Sequence, residues 1–149
     1  MAAMRRILFA SDFSKGSGKA FAAAVSMAKA NKATLTVLHV VAPMAPITPD
    51  QYIGPETWQQ IQAENKRWVT RKLAELTVRA RKAGVRVAVL LAEGNPATHI
   101  VRIAKAGRFD LVVIGTHGRT GLAKFFLGSI AGRVVATATC PVLTVRSRE

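Results

Sequence analysis

The sequence predicts an α/β fold, a three-layer domain in which a five-stranded, mostly parallel sheet lies between helices. Short apolar runs rich in β-branched residues alternate with helical patterns in the order β-α-β-α-β-α-β-α-β. Such runs are typical of strands that are covered on both faces, and the alternation favours parallel pairing. A glycine-rich stretch follows the run at 109–114, at the strand end where open α/β sheets bind their ligands.

The composition of the chain limits its class. A chain of 149 residues, 50% of them hydrophobic, suits one domain with a substantial core, so we expect residues 1–149 to form a single domain. No apolar run reaches the roughly 18 residues that cross a bilayer, and the N-terminal run is too short for a signal peptide. The single cysteine, Cys140, excludes an intrachain disulfide framework and predicts a reducing, cytoplasmic location.

The net charge of +14 is large for this length and would attract nucleic acid, phosphorylated ligands or anionic surfaces. Many of the basic residues fall on a predicted helix over 56–83. A solvated polar face is the simpler interpretation of that helix, and a dedicated binding stripe is the alternative. The basic residues are not interleaved with aromatic ones, as they are in proteins that bind single strands.

The first strand spans 7–11 and ends at Asp12. Ser14 is a candidate N-cap for a helix that continues to about residue 29, because apolar residues recur there at helical spacing. A second strand spans 33–41 and contains His39. We interpret His39 as a packed core histidine, because no Cys or carboxylate lies near it in a ligand spacing.

The second half of the chain repeats the alternation. Residues 42–55 contain four prolines and a glycine and predict an irregular loop that could serve as a lid. After the long helix, a third strand spans 85–91, and Asn95 with Pro96 predicts the start of the next helix. The fourth strand spans 109–114, and a last strand spans 141–146.

The glycine-rich stretch, residues 115–129, has the character of an anion-binding loop. Gly115, Gly118 and Gly121 allow positive φ angles and a close approach of the backbone to a bulky anion. Gly128 and Ser129 then open a helix whose first N–H groups lack intrahelical partners. These groups, the positive end of the helix and the Ser129 hydroxyl together predict a phosphate cradle.

Asp12 is the residue that would share a crevice with this loop, if the first and fourth strands are neighbours. A carboxylate there can accept hydrogen bonds from a ribose or share a divalent cation with phosphates. Its alternative role is an Asx turn that starts the following helix. The nearby glycine-rich loop favours the binding role.

The loop sequence GTHGRTGLAKFFLGS fits the pattern G-x2-G-x9-G-[ST] at Gly115, Gly118, Gly128 and Ser129. With this pattern, and with the segments ILFASDFS, LTVLHVV, DLVVIGTHGR and CPVLTV, the chain resembles the ATP-binding universal stress proteins. The resemblance covers essentially the whole chain. It implies a Rossmann-like fold with sheet order 3-2-1-4-5 and ATP lying across the crevice above the first and fourth strands.

The resemblance also implies roles for individual residues. Asp12 and Gly115 would face the ribose, Val40 would offer its backbone to adenine, and the loop would hold the phosphates. Asp12 could also meet Mg²⁺ bound to ATP, and homodimers would form through residues 141–145. The residues expected at the nucleotide are Ser11, Asp12, Val40, Gly115, Gly118, Arg119, Gly128 and Ser129.

Three functions follow from these observations, and the first is a regulatory module that binds ATP. The second is an enzyme that slowly hydrolyses ATP or transfers its phosphoryl group with Mg²⁺ at Asp12. His117 would be its base, although no orienting partner for that histidine is evident. The third is a basic interaction protein that binds nucleic acid or acidic partners through its long helix.

Overall fold

The computed structural model describes residues 3–43, 47–48, 51–116 and 127–147. Within these ranges the chain forms seven strands and four helices. They are β1 (Arg6–Ala10), α1 (Lys15–Asn31), β2 (Thr34–Val41), β3 (Ile47–Thr48), β4 (Gln51–Tyr52), α2 (Pro55–Lys82), β5 (Arg86–Glu93), α3 (Pro96–Ala106), β6 (Leu111–Gly115), α4 (Ser129–Thr137) and β7 (Val142–Val145).

Five of the strands form one parallel sheet in the order β5-β2-β1-β6-β7. This is the predicted order, and the bounds of the predicted strands differ from the observed ones by at most two residues. One prediction was wrong in part. The segment 42–55 is not wholly irregular, because β3 and β4 within it pair in an antiparallel hairpin.

The two faces of β1 explain why its sequence is apolar without alternation. Ile7 and Phe9 belong to a core cluster that includes residues of α1 and α2. Leu8 and Ala10 belong to a second cluster with residues of α3 and α4. Successive side chains of a strand point to opposite faces, so a strand between two helical layers is apolar at every position.

The predicted helix starts are confirmed by their hydrogen bonds. The Ser14 hydroxyl accepts a bond from the Ser17 N–H (3.2 Å), and the Asn95 side chain accepts one from the Thr98 N–H (3.1 Å). Pro96 occupies the first turn of α3, where its missing N–H costs nothing. These caps fix where α1 and α3 leave the sheet.

Two basic side chains of α2 lie over aromatic rings. The Arg79 guanidinium lies 5.1 Å from the Phe21 ring centroid, and the Lys72 ammonium lies 5.8 Å from that of Trp68. Arg67, Arg71 and Arg79 are all exposed. Two of the positive charges of α2 therefore lie against aromatic rings. None of the described helices is long and apolar enough to cross a membrane.

Cys140 is half-buried, and burial raises the pKa of its thiol. A raised pKa lowers the fraction of reactive thiolate, as expected for a packed cysteine of low reactivity.

Asp110 joins the beginnings of β1 and β6. Its Oδ2 accepts hydrogen bonds from the N–H groups of Arg5 (2.8 Å) and Arg6 (2.9 Å), and its own N–H donates to the Arg6 carbonyl (2.8 Å). The two backbone hydrogen bonds, with a smaller effect from the charges of both arginines, lower the pKa of Asp110 below its ordinary value of 3.8. The carboxylate thus fixes the register of the two central strands.

We expect Asp110→Asn to lower the free energy of unfolding by about 1 kcal/mol near neutral pH, because a neutral amide oxygen accepts the two backbone hydrogen bonds more weakly than a carboxylate does. The effect is modest because these hydrogen bonds are exposed to solvent. The pKa is depressed in the folded state, so the stabilisation is complete above pH 3.8 and is lost as the pH falls through the folded-state pKa. Urea unfolding at a series of pH values should show that the difference in free energy of unfolding between wild type and variant becomes smaller as the pH falls. Glu64→Gln, at an exposed carboxylate of α2, is the control and should have little effect.

Candidate functional site

A cavity of about 340 Å³ opens at the carboxyl ends of β1 and β6. Its volume lies in the range of small-molecule sites. It is lined by Ala10, Ser11, Asp12, Ser17, Leu38, Val40, Pro96, Ile100, Ile114, Gly115, Thr116, Gly128, Ser129, Ile130 and Ala131.

The lining has an apolar wall and a polar rim. Leu38, Ile100 and Ile114 are buried aliphatic side chains of three different elements, and they form part of the wall. The polar side chains come from the turn after β1, from Ser17 of α1, from Thr116 after β6 and from the start of α4. An apolar surface with a few convergent polar groups is typical of sites that hold the flat base of a ligand and fix its polar end.

The turn between β1 and α1 is held by its own side chains. Asp12 Oδ1 accepts a hydrogen bond from the Ser14 N–H (2.9 Å), which is the Asx turn that the sequence left as an alternative. The Ser11 hydroxyl accepts from the Phe13 N–H (3.1 Å) and shares a hydrogen bond with the Ser17 hydroxyl (3.0 Å). Asp12 therefore has a structural role and also lines the cavity.

Phe13 has an unusual backbone conformation at this turn. Its φ of +63° lies in the left-handed region, which bulky residues rarely adopt. Its ring packs 4.5 Å from the His39 ring and 5.4 Å from the Trp68 ring, measured between centroids. His39 Nδ1 also donates a 2.7 Å hydrogen bond to the Ser11 carbonyl. Packing against β2 and α2 thus sets the shape of the turn.

Val40 reaches the cavity because β2 is longer than β1. The pairing of the two strands ends at Ala10 and Leu38, whereas β2 continues to Val41. The Leu38 carbonyl accepts from the Ser11 N–H on the β1 side of β2. Since backbone groups alternate along a strand, the peptide groups of Val40 lie on this same side, beyond the end of β1.

The start of α4 faces the cavity. Gly128 is its N-cap, and no described side chain caps it, whereas α1 and α3 both have side-chain caps. The Gly128 N–H donates to the Thr116 carbonyl (2.6 Å), and the Gly132 N–H donates to the Gly128 carbonyl (2.8 Å). The first-turn residues Ser129, Ile130 and Ala131 all line the cavity.

Six of the eight predicted site residues line this one cavity: Ser11, Asp12, Val40, Gly115, Gly128 and Ser129. Gly118 and Arg119 lie outside the described residues, as does His117. The complete glycine motif, and with it the ATP-binding subgroup, therefore stays a prediction.

The sequence did not identify the wall that α3 provides through Pro96 and Ile100. A signal for it was present, because Asn95 and Pro96 follow β5 at the same edge of the sheet as the turn after β1. No group of three or more His, Cys, Asp or Glu residues suited to a metal ion occurs within the ranges given above.

The sequence of the chain matches the model of the universal stress protein family over residues 4–146. The chain belongs to this family. It is 35% identical over 145 residues to the universal stress protein YxiE of Bacillus subtilis, covering 95% of this chain and 98% of that protein. It is 34% identical over 143 residues to the universal stress protein MJ0531 of Methanocaldococcus jannaschii, covering 95% and 82%.

Solved structures share the fold of this universal stress protein. The protein MJ0577 superposes with a TM-score of 0.85 at 23% identity, over 99% of each chain. A universal stress protein in complex with cAMP has a TM-score of 0.70 at 25% identity, over 97% of this chain and 98% of that one. The Arabidopsis thaliana family protein At3g01520, determined with AMP bound, has a TM-score of 0.70 at 21% identity, over 97% and 92%.

The structural role of Asp12 in its Asx turn can be tested in the absence of ligand. We expect Asp12→Ala to lower the free energy of unfolding by about 1 kcal/mol, because the Ser14 N–H loses its acceptor. Asp12→Asn keeps a side-chain oxygen at that position and should cost less than half as much. Urea unfolding of the two variants without ligand measures the difference, and equal losses would contradict the assignment.

Proposed function

We propose that this universal stress protein binds an adenine nucleotide in the cavity at the carboxyl ends of β1 and β6 and acts as a nucleotide-dependent regulatory module. The start of α4 carries the proposal, because its first-turn residues line the cavity and no described side chain caps it at Gly128. A helix N-terminus in this position attracts phosphate through its N–H groups and its dipole. The cAMP complex of a relative at 25% identity supports the choice of ligand.

The base and the ribose would occupy the side of the cavity that β2 and α3 line. Leu38 and Ile100 would pack against adenine, and the peptide groups of Val40 would meet its polar edge. Asp12 and Gly115 would face the ribose hydroxyls. A carboxylate is a strong acceptor for such hydroxyls, and Asp12 is held in place by its bond to Ser14.

The phosphates would lie at the start of α4. The Ser129 hydroxyl and the first N–H groups of the helix would bind their oxygens, and the glycine at 128 would let them approach the backbone. Gly118 and Arg119, outside the described residues, would complete the phosphate site as the family pattern implies. With ATP as the ligand, Mg²⁺ would be held mainly by phosphate oxygens and water, with Asp12 supplying a carboxylate.

The regulatory part of the proposal rests on the connection between the cavity and β7. The Thr116 N–H, beside the cavity, donates a 3.0 Å hydrogen bond to the Val145 carbonyl, and Gly115 pairs with Val145. A nucleotide bound beside Gly115 and Thr116 would thus also stabilise β7, the strand through which the homodimer is predicted to form. The homodimer through residues 141–145 and the cytoplasmic location remain predictions, as do hydrolysis and nucleic-acid binding.

Ser129→Asp tests the phosphate site. The new carboxylate would stand in the first turn of α4, where the helix dipole favours it, so thermal stability should be unchanged or higher. The same charge would repel phosphate, so we expect the Kd for ATP to rise at least about tenfold, which corresponds to roughly 1.4 kcal/mol. The Kd for adenosine should stay within about twofold of its wild-type value. Isothermal titration calorimetry measures both.

Thr57→Asp is the matched control, because it adds the same charge to the exposed first turn of α2, away from the cavity. Equal weakening of ATP binding in both variants would indicate net charge rather than the start of α4 as the cause. Mass spectrometry of nucleotide released from freshly purified protein identifies the natural ligand. The proposal fails if no adenine nucleotide is released and none binds in the titration.

A further inference from the structure

The edge strand β5 has the features of a strand that pairs with another chain. It is eight residues long and is paired with β2 along its whole length, and within the described part of the chain it has no neighbour on its other side. Three consecutive large apolar residues are exposed on it, Val89 by 41%, Leu90 by 41% and Leu91 by 45%. Between Val87 and Ala92 it carries no charge and no proline, the usual protections of an open edge.

The hydrogen bonds show which backbone groups of β5 are directed outward. The Gly94 N–H donates to the Val41 carbonyl (2.9 Å), so the even-numbered positions of β5 point toward β2. Because backbone groups alternate along a strand, the N–H and C=O groups of Val87, Val89 and Leu91 lie on the open side. The edge therefore offers a regular row of donors and acceptors that is not interrupted by a bulge.

The opposite edge of the sheet is less open. β7 has four residues, all of them half-buried, and it lies between Pro141 and Arg146. It is thus shorter than β5 and less exposed. Since the two strands lie at opposite ends of the sheet, a partner on β5 leaves β7 accessible.

The charges around β5 favour an antiparallel partner with the same sequence. The end of α2 next to the start of β5 is basic, with Arg81 and Lys82 exposed. Arg79 packs on α1, and Arg81 lies roughly 200° further around the helix, so Arg81 faces the open edge. The other end of β5 carries Glu93, one of eight acidic residues in a chain of net charge +14.

We propose that two copies of this chain pair through β5 in antiparallel orientation, about a two-fold axis at Val89. The axis is perpendicular to the sheet, so each side chain of one copy lies opposite a side chain of the other copy on the same side of the sheet. Val89 then lies opposite its own copy, Val87 opposite Leu91, and Ala88 opposite Leu90, which places small residues beside large ones. Glu93 lies opposite Val85, next to the basic end of α2 in the other copy, and opposite charges placed in this way stabilise a strand pair.

Cysteine cross-linking tests this pairing directly. In an antiparallel hydrogen-bonded pair the two Cα atoms are about 5.5 Å apart, and the Cβ atoms are about as far apart, which is wider than a direct disulfide prefers and suits a short bifunctional thiol reagent. We expect the full chain with Cys140→Ser and Val89→Cys to form a covalent dimer with such a reagent. Cys140→Ser with Val78→Cys is the control, because Val78 is 49% exposed on the outer surface of α2. It should cross-link at least about tenfold more slowly.

The charge argument has its own test in the Cys140→Ser, Val89→Cys background. Adding Glu93→Lys should slow cross-linking at least about tenfold, because two acidic groups at the interface become basic. Adding Glu75→Lys makes the same change of charge on the exposed surface of α2 and should leave the rate unchanged. Circular dichroism melting confirms that each variant is folded.

Two results would overturn the proposal. In one, Val89→Cys cross-links no faster than Val78→Cys, which means that β5 does not pair. In the other, Glu93→Lys and Glu75→Lys slow the reaction equally, which means that net charge and not the proposed register controls the encounter. Because Val89 and Glu93 lie outside the cavity lining, nucleotide binding by the same variants provides an independent check of the native fold.

Discussion

The structure depends on the double-sided burial of β1 between two parallel neighbours. From β1 the chain first moves outward in one direction, to β2 and then β5, and later returns to β6 and β7 on the other side. Right-handed crossovers in opposite directions place their helices on opposite faces of a sheet. This is why α1 and α2 cover one face and α3 and α4 the other. The crevice between the two sets of helices opens where β1 and β6 end.

The cavity at this crevice combines elements that are held in place by different interactions. The turn after β1 is fixed by hydrogen bonds of Ser11 and Asp12 and by the packing of Phe13 in a left-handed conformation. The start of α4 is positioned by the bond from Gly128 to Thr116, and its first turn has no described side-chain cap. A helix start that is held in place beside the cavity, with no described side-chain cap, is suited to an anion, because fewer groups have to be ordered when the anion binds.

Much of this arrangement could be predicted from local signals. The helix caps at Ser14 and Asn95, the apolar strands and the glycine at the start of α4 each depend on neighbouring residues, and all were found where expected. The α3 wall of the cavity was missed, because Pro96 and Ile100 approach β1 only through the sheet order. The conformation of Phe13 was also unpredictable, since it depends on His39 and Trp68, which lie far away in sequence.

The sequence by itself determined the alternation of strands and helices, the positions of the caps and, through its family resemblance, the order of the sheet. These properties follow from periodicity and from hydrogen bonds between near neighbours. The tertiary structure decided which side chains meet at the cavity and that Asp12 both starts α1 and lines the site. It also decided that the apolar run of β5 remains exposed at an edge. Burial depends on what packs across a strand, and an apolar run has the same local pattern whether or not a neighbour covers it.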